Sequence, residues 1–214
     1  MRRRNVKNID TRIESAKLNV ITDTTINKGK WHELFGNDNP IYLEIGMGKG
    51  DFIIEHAKTN PNINYIGLEK FPSVLIQASD KLGDVHLDNL YLMVADATNL
   101  LDMFEENEIS KIYLNFSDPW PKARHAKRRL TSDSFLKNYK VILKNTGDIE
   151  FKTDNRELFE YSVMSINNNN MFIKDLTFDL HHRSEEYIIK TEYEKKFMAK
   201  GNPIYFINAD FKKE

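Results

Sequence analysis

Cysteine is absent from the 214 residues. That excludes disulfides, thiolate zinc sites and cysteine nucleophiles, and it suits a reducing cytoplasm. No stretch approaches the ~18 apolar residues of a membrane span. Arg2-Arg3-Arg4 run into the polar Asn5-Val6-Lys7-Asn8 rather than an apolar segment, so no secretory signal is expected. Repeats and interdomain linkers are also missing. Net charge is close to nil, at −1, which taken alone argues against a nucleic-acid binder. What remains is 40% apolar and 29% charged, a composition that excludes wholesale disorder and, at this length, suits one α/β domain.

The near-neutrality is an average over unlike segments. Residues 1–40 carry a net +3, residues 41–118 a net −8, residues 119–145 a net +7 and residues 146–214 a net −3. A charge run is often only a solvated face. A local +7 is nevertheless what a phosphate-binding surface needs.

From residue 41 the pattern alternates strand and helix. Strands are expected at 41–45, 65–68, 90–95, 111–116 and 148–152, with two more at about 171–180 and 204–211. Helices are expected from Asp51, which can cap the first of them, over 72–82, near 100–104, over about 132–143, over roughly 156–166 and near 190–199. Phe135, Leu136, Tyr139 and Ile142 make the apolar stripe of one of these. Such alternation predicts a parallel sheet with helices on both faces, and the last two strands suit an antiparallel hairpin at one edge. Residues 1–40 read as a polar, irregular arm partly packed on a single domain spanning 41–214, and Asn167–Asn170 as a polar loop.

Ligands of open α/β sheets bind beyond the carboxyl ends of the strands. Glu44, Glu69, Asp96 and Asp118 fall in or beside that position. An apolar interior would exclude four such charges unless they were paired or faced a ligand. Gly46, Gly48 and Gly50 form a loop whose backbone can approach a ligand closely. Glu69 follows Gly50 by 19 residues, near the offset at which an acid grips ribose hydroxyls. A second carboxylate nearby, Glu44, favours a ligand with a cationic part over a pyrophosphate. S-adenosylmethionine fits better than NAD on that ground, with Asp96 reaching the adenine amino group. The competing reading of Glu44 and Asp96 is that of capping or surface acids.

After the fourth strand comes Asp118-Pro119-Trp120-Pro121-Lys122, then Ala123-Arg124-His125-Ala126-Lys127-Arg128-Arg129. Two prolines fix an extended turn and oppose helix, joining an acid at the sheet mouth to a cationic segment. Trp120 either stacks on a base or packs against the loop. His125 is a phosphate contact or a bystander. Asp154 suits a cap for the helix that follows it. His181 and His182 lack further ligand spacing and read as a surface pair rather than a metal site.

These strings resemble the bacterial tRNA (guanine-N7-)-methyltransferase family. The matching residues are Glu44-Ile45-Gly46-Met47-Gly48-Lys49-Gly50, Glu69-Lys70, Asp96-Ala97 and Asp118-Pro119-Trp120-Pro121-Lys122 with His125, Arg128 and Arg129. Phe151-Lys152-Thr153-Asp154 and Thr191-Glu192-Tyr193-Glu194 match further on, and the likeness runs over about 30–211. The resemblance implies a class I S-adenosylmethionine-dependent methyltransferase fold, Rossmann-like, with a seven-stranded and mostly parallel sheet and an antiparallel edge strand. It implies methyl transfer from S-adenosylmethionine to N7 of a guanine in the tRNA variable loop, at tRNA position 46. On this resemblance Asp118 is catalytic, and Glu44, Gly46, Gly48, Gly50, Glu69, Asp96 and Asp118 bind the cofactor. Lys122, Asp154, Thr191, Glu192, Tyr193 and Glu194 face the substrate, while Arg124, His125, Ala126, Lys127, Arg128 and Arg129 contact RNA. A cytoplasmic monomer or homodimer, without metal or membrane partner, is expected. A small-molecule S-adenosylmethionine enzyme and a non-enzymatic RNA-binding module stay open as alternatives.

Overall fold

The computed structural model describes residues 20–83, 85–182, 189–191, 193, 194, 197, 199 and 201–211. The chain divides at Phe104 and Glu105 into two compact units. Among the described residues eight strands form, four in each unit, rather than the seven expected.

The first unit holds β1 (Val20–Ile21), α1 (Trp31–Phe35), β2 (Ile41–Ile45), α2 (Asp51–Thr59), β3 (Asn64–Glu69), α3 (Pro72–Leu82), β4 (Leu90–Val94) and α4 (Leu100–Met103). Its strands lie in the order β1-β4-β3-β2, all parallel. The eighth strand of the count is β1, whose two residues pair with Leu92 and Met93. Every residue of β3 is buried, as expected of a parallel strand covered on both faces. Gly67 of β3 leaves room there: a Cβ would stand 2.5 Å from Met47 Sδ and 3.0 Å from Leu92. Met47 thereby seats its loop on the strand beside it.

The polar start is less irregular than its composition suggests. Trp31 is fully buried, its ring stacked on Phe104 at 5.5 Å and its indole N–H donating to the Met103 carbonyl at 3.1 Å. Five residues are too few for a helix to persist by propensity. Burial of Trp31 and Phe35 holds α1, and Gly36 (φ 68°) ends it. A second correction concerns Asp51: Gly50 occupies the cap of α2, while Asp51 stands at its first position and pairs with Lys81.

The second unit holds β5 (Ile109–Asn115), α5 (Asp133–Ile142), β6 (Leu143–Thr153), α6 (Arg156–Asn168), β7 (Met171–Thr177) and β8 (Tyr205–Phe211). β5 and β6 are parallel, and β8 runs antiparallel between β6 and β7. Phe135, Leu136, Tyr139 and Ile142 are all buried, as their spacing predicts. β6 follows α5 without a loop and begins five residues before the expected position. An irregularity between Ile109 and Lys111 absorbs the offset, with Gly147 passing close to the Ser110 carbonyl. α6 extends into the asparagine run and leaves only Asn169 and Asn170 outside it. The helix expected near 190–199 falls largely outside the described residues, although Tyr193, Glu194 and Phe197 are helical.

Candidate active site

In the first unit three acids stand at the carboxyl ends of three neighbouring parallel strands. The register pairs Ile45 with Leu68 and Glu69 with Val94. Glu44, within β2, is 2% exposed. Gly46 and Met47 both donate to the Leu68 carbonyl, at 2.8 and 3.1 Å, so the glycine loop begins by folding over the end of β3. Gly46, Gly48 and Gly50 have φ of 77°, 59° and 74°, a region that L side chains rarely adopt. Nothing lies within 4 Å of where a Cβ at Gly46 or Gly48 would stand. The loop therefore presents bare backbone to open space.

Glu69 holds this loop as well as facing it. One carboxylate oxygen accepts from Gly48 N at 3.1 Å and the other from Phe71 N at 2.9 Å. The carboxylate is thereby fixed beside the bare backbone of the loop. Asp96 caps the 3₁₀ turn Ala97–Asn99, accepting from Thr98 N and Oγ1 at 3.0 and 2.9 Å, and its second oxygen meets Lys70 Nζ at 2.5 Å. The capping reading of Asp96 is thus realised. Burial pushes this carboxyl up, but the Lys70 ammonium and the Thr98 donors outweigh it and hold it below its ordinary range.

In the second unit Asp118 lies three residues past the end of β5 and is exposed. Its turn is braced on both sides. Phe116 (φ 51°) donates its N–H to the Lys152 carbonyl at 2.9 Å, which prolongs the β5–β6 ladder. Trp120 (φ 43°) is packed rather than displayed: the Arg128 guanidinium lies over its ring at 4.9 Å and His125 meets it edge-on at 5.7 Å. A 3₁₀ turn, Ala123–Arg128, follows the prolines. Lys122, Arg124, Lys127 and Arg128 are exposed on it or beside it, while His125, Ala126 and Arg129 are half-buried.

Asp154, Thr191, Tyr193 and Glu194 are brought together. The cap of α6 is Asn155, which accepts from Leu158 N at 2.8 Å; this corrects the capping expectation for Asp154. Asp154 instead accepts from the Tyr193 hydroxyl at 3.3 Å. Burial, and then the Asp154 charge, push that hydroxyl up to about 12. The Tyr193 ring stacks on Phe197 at 4.3 Å and packs against Phe116 at 5.0 Å. Thr191 and Glu194 form a capping box: Glu194 N donates to Thr191 Oγ1 at 2.9 Å, and Thr191 N donates to Glu194 Oε2 at 3.3 Å. Glu194 turns inward, 0% exposed, with Lys152 Nζ at 3.6 Å and His181 Nε2 at 4.0 Å. Burial pushes His181 below its ordinary range, with Glu194 opposing. Glu192 lies outside the described residues.

Sequence reasoning missed two anchors, Lys152 and His181. Lys152 is buried within β6, but that strand also carries Asp148 and Glu150, so its charge alone does not mark it in the sequence. The three-residue spacing of Thr191 and Glu194 is that of a capping box. Among the described residues no cluster of histidines and carboxylates suits a metal ion, and no helix is long and apolar enough to cross a membrane.

Residues 38–207 match a sequence family described as "Putative methyltransferase". A tRNA (guanine-N(7)-)-methyltransferase of Listeria monocytogenes is 57% identical over 86% of each chain. One of Lachnoclostridium phytofermentans is 52% identical, covering 91% of this chain and 92% of its own. One of a Geobacillus species is 52% identical over 96% and 93%. Among solved structures, an antibiotic-related methyltransferase shares the fold at a TM-score of 0.65 and 18% identity, covering 86% of this chain and 94% of that one. The 16S rRNA methyltransferase KamB does so at 0.66 and 12%, covering 86% and 94%. The likeness to these structures fixes the class I methyltransferase fold, and the sequence matches are more specific: this chain belongs to the tRNA (guanine-N7-)-methyltransferase family.

Proposed function

We propose that the chain methylates N7 of a guanine in the tRNA variable loop, using S-adenosylmethionine and working in the cytoplasm. One observation carries this reading. An exposed carboxylate, Asp118, sits on a braced turn past a strand end, and the next ten residues display four exposed cations, Lys122, Arg124, Lys127 and Arg128. A small-molecule enzyme has no use for that cationic surface beside its acid.

The first unit's residues suit the donor. Glu69 at the end of β3 is placed for ribose hydroxyls and Asp96 beyond β4 for the adenine amino group, while the bare loop at Gly46 and Gly48 leaves room for close approach. When bound, S-adenosylmethionine supplies an electrophilic methyl group on a sulfonium.

Guanine N7 has a free lone pair at neutral pH, so no base need remove a proton before it attacks. The residues act by placement. Holding N7 in line with the bond to be broken accounts for as much as about 7–11 kcal/mol of barrier lowering. Asp118 accepts hydrogen bonds from the N1–H and N2–H₂ edge and favours the positive charge that grows on the ring. Lys122, Arg124, Lys127 and Arg128 neutralise phosphates. Asp154 and Tyr193 close the other side of the base or its ribose.

The test is nucleoside analysis of unmodified tRNA after incubation with the protein and methyl-labelled S-adenosylmethionine. Label in 7-methylguanosine supports the reading. A folded protein that leaves tRNA unlabelled, or that labels a different nucleoside, overturns it.

A further inference from the structure

Five of the six residues Arg124–Arg129 carry nitrogen-bearing side chains, and as a string they read as one phosphate-binding run. The structure separates Arg129 from the others. Its Nε donates to the Pro119 carbonyl at 3.0 Å and its Nη2 to the Trp120 carbonyl at 3.1 Å. Its guanidinium lies over the Tyr161 ring of α6 at 4.3 Å. The side chain is half-buried, whereas Arg124, Lys127 and Arg128 are exposed. Two directed donors and a stacking face are thus engaged within the protein.

The two acceptors are the carbonyls that follow Asp118. Trp120 sits at φ 43°, a conformation that costs a bulky residue energy and persists only where its surroundings hold it. Asp118 precedes a proline, so its own backbone is confined to extended conformations and its direction follows that of Pro119. Fixing the Pro119 and Trp120 carbonyls therefore fixes the backbone from which the Asp118 carboxylate projects.

We infer that Arg129 is a positioning residue for Asp118 and not a phosphate contact: its planar fork locks the Pro119–Trp120 turn against Tyr161. The catalytic part of this inference rests on the role proposed for Asp118. The geometric part does not.

Arginine and lysine differ in the property at issue. A lysine serves well as a point charge against phosphate but cannot supply two parallel donors and a stacking plane. Arg129→Lys, Arg129→Gln and Tyr161→Leu are compared with Arg124→Gln and the parent chain, with thermal denaturation confirming the fold. Three readings are taken: the salt dependence of tRNA affinity, kcat at saturating tRNA, and acrylamide quenching of tryptophan fluorescence. The chain has two tryptophans. Trp31 is fully buried, so quenching reports Trp120.

For Arg129→Lys and Arg129→Gln alike, kcat falls by about 10- to 100-fold, the salt slope is that of the parent, and quenching rises. Tyr161→Leu moves kcat and quenching in the same direction by less. Arg124→Gln lowers the salt slope by about 0.7–0.9 and leaves quenching unchanged. Recovery of parental kcat by Arg129→Lys overturns the inference, as does a lowered salt slope in Arg129→Gln with unchanged quenching. If Arg129→Gln fails to fold, Arg129→Lys and Tyr161→Leu carry the same decision. Quenching and salt slope need no turnover, so an inactive parent chain would defeat the proposed function while leaving the clamp still decidable.

Discussion

The glycine loop at 46–50 and the turn at 116–120 both place left-handed backbone beyond the end of a parallel strand, and they do so by opposite means. The loop uses glycines, which enter that region without steric cost, and it keeps open space beside Gly46 and Gly48. The turn uses Phe116 and Trp120, for which the same region costs on the order of 1–2 kcal/mol each. That cost is offset by the side chains a glycine would lack. The Phe116 ring packs on Tyr193, and the Trp120 ring contacts both Arg128 and His125. A loop that must let a ligand reach its backbone discards side chains. A turn that must aim a carboxylate keeps them as braces.

The largest effect expected from this contrast is chemical and belongs to the turn. Asp118→Ala lowers kcat by about 10²–10³ while tRNA affinity holds, because the lost contact acts on developing charge rather than on phosphates. Single-turnover methylation and a tRNA binding isotherm check this together. Unchanged kcat would mean that the turn braces nothing of catalytic use.

Next comes stability, where the two regions differ in size of effect. Gly50→Ala forces a side chain into φ 74° and brings its Cβ to 2.8 Å from that of Ala78, a loss of about 2–4 kcal/mol by strain and overpacking. Trp120→Gly relieves strain at φ 43° but gives up the cation–π contact, so its net change stays within about 1 kcal/mol. Urea denaturation of both variants measures the difference. Equal losses would erase the distinction between a loop freed by glycine and a turn braced by aromatics.

Much of this was legible beforehand, and the gaps have physical causes. Strand–helix alternation, the three acids at strand ends and the stripe of α5 follow from local periodicity, and the structure keeps them. α1 was not legible because five residues are helical only through burial of Trp31 against Phe104. The split of the basic run was not legible either. Which arginine turns inward depends on carbonyls nine and ten residues back and on a tyrosine from another helix. Glu194 shows both limits at once. Its spacing from Thr191 is a capping-box pattern that the sequence reading did not use, and its burial depends on Lys152 and His181, far off in sequence.

A smaller effect separates the two regions by charge. Lys127 is exposed on the 3₁₀ turn and Lys58 on α2 of the first unit. Lys127→Gln lowers the slope of log affinity against log salt by about 0.7–0.9, the release of one counterion, and Lys58→Gln leaves it unchanged. Titration of tRNA binding at several salt concentrations distinguishes them. A shared response would spread the RNA footprint beyond the turn.

The smallest effect concerns Asp96, the first unit's half-buried counterpart to the turn's exposed acid. Its carboxyl is held below the ordinary range, burial raising it but Lys70 and Thr98 prevailing. A depressed folded value means that the ionised form is the one folding favours. The contribution is therefore complete above the ordinary carboxylate value of about 3.9 and is lost as pH falls through the lowered folded value. Lys70 and Asp96 side chains are 58% and 36% exposed, so solvent screening limits the pair to less than about 1 kcal/mol. Lys70→Met should flatten the acid limb of the stability–pH curve by that amount and leave the curve near neutrality otherwise parallel to the parent's. An unchanged acid limb would assign the low carboxyl value to the Thr98 cap alone. Asp96 would then be set by its 3₁₀ turn, braced by its own chain as Asp118 is by Arg129.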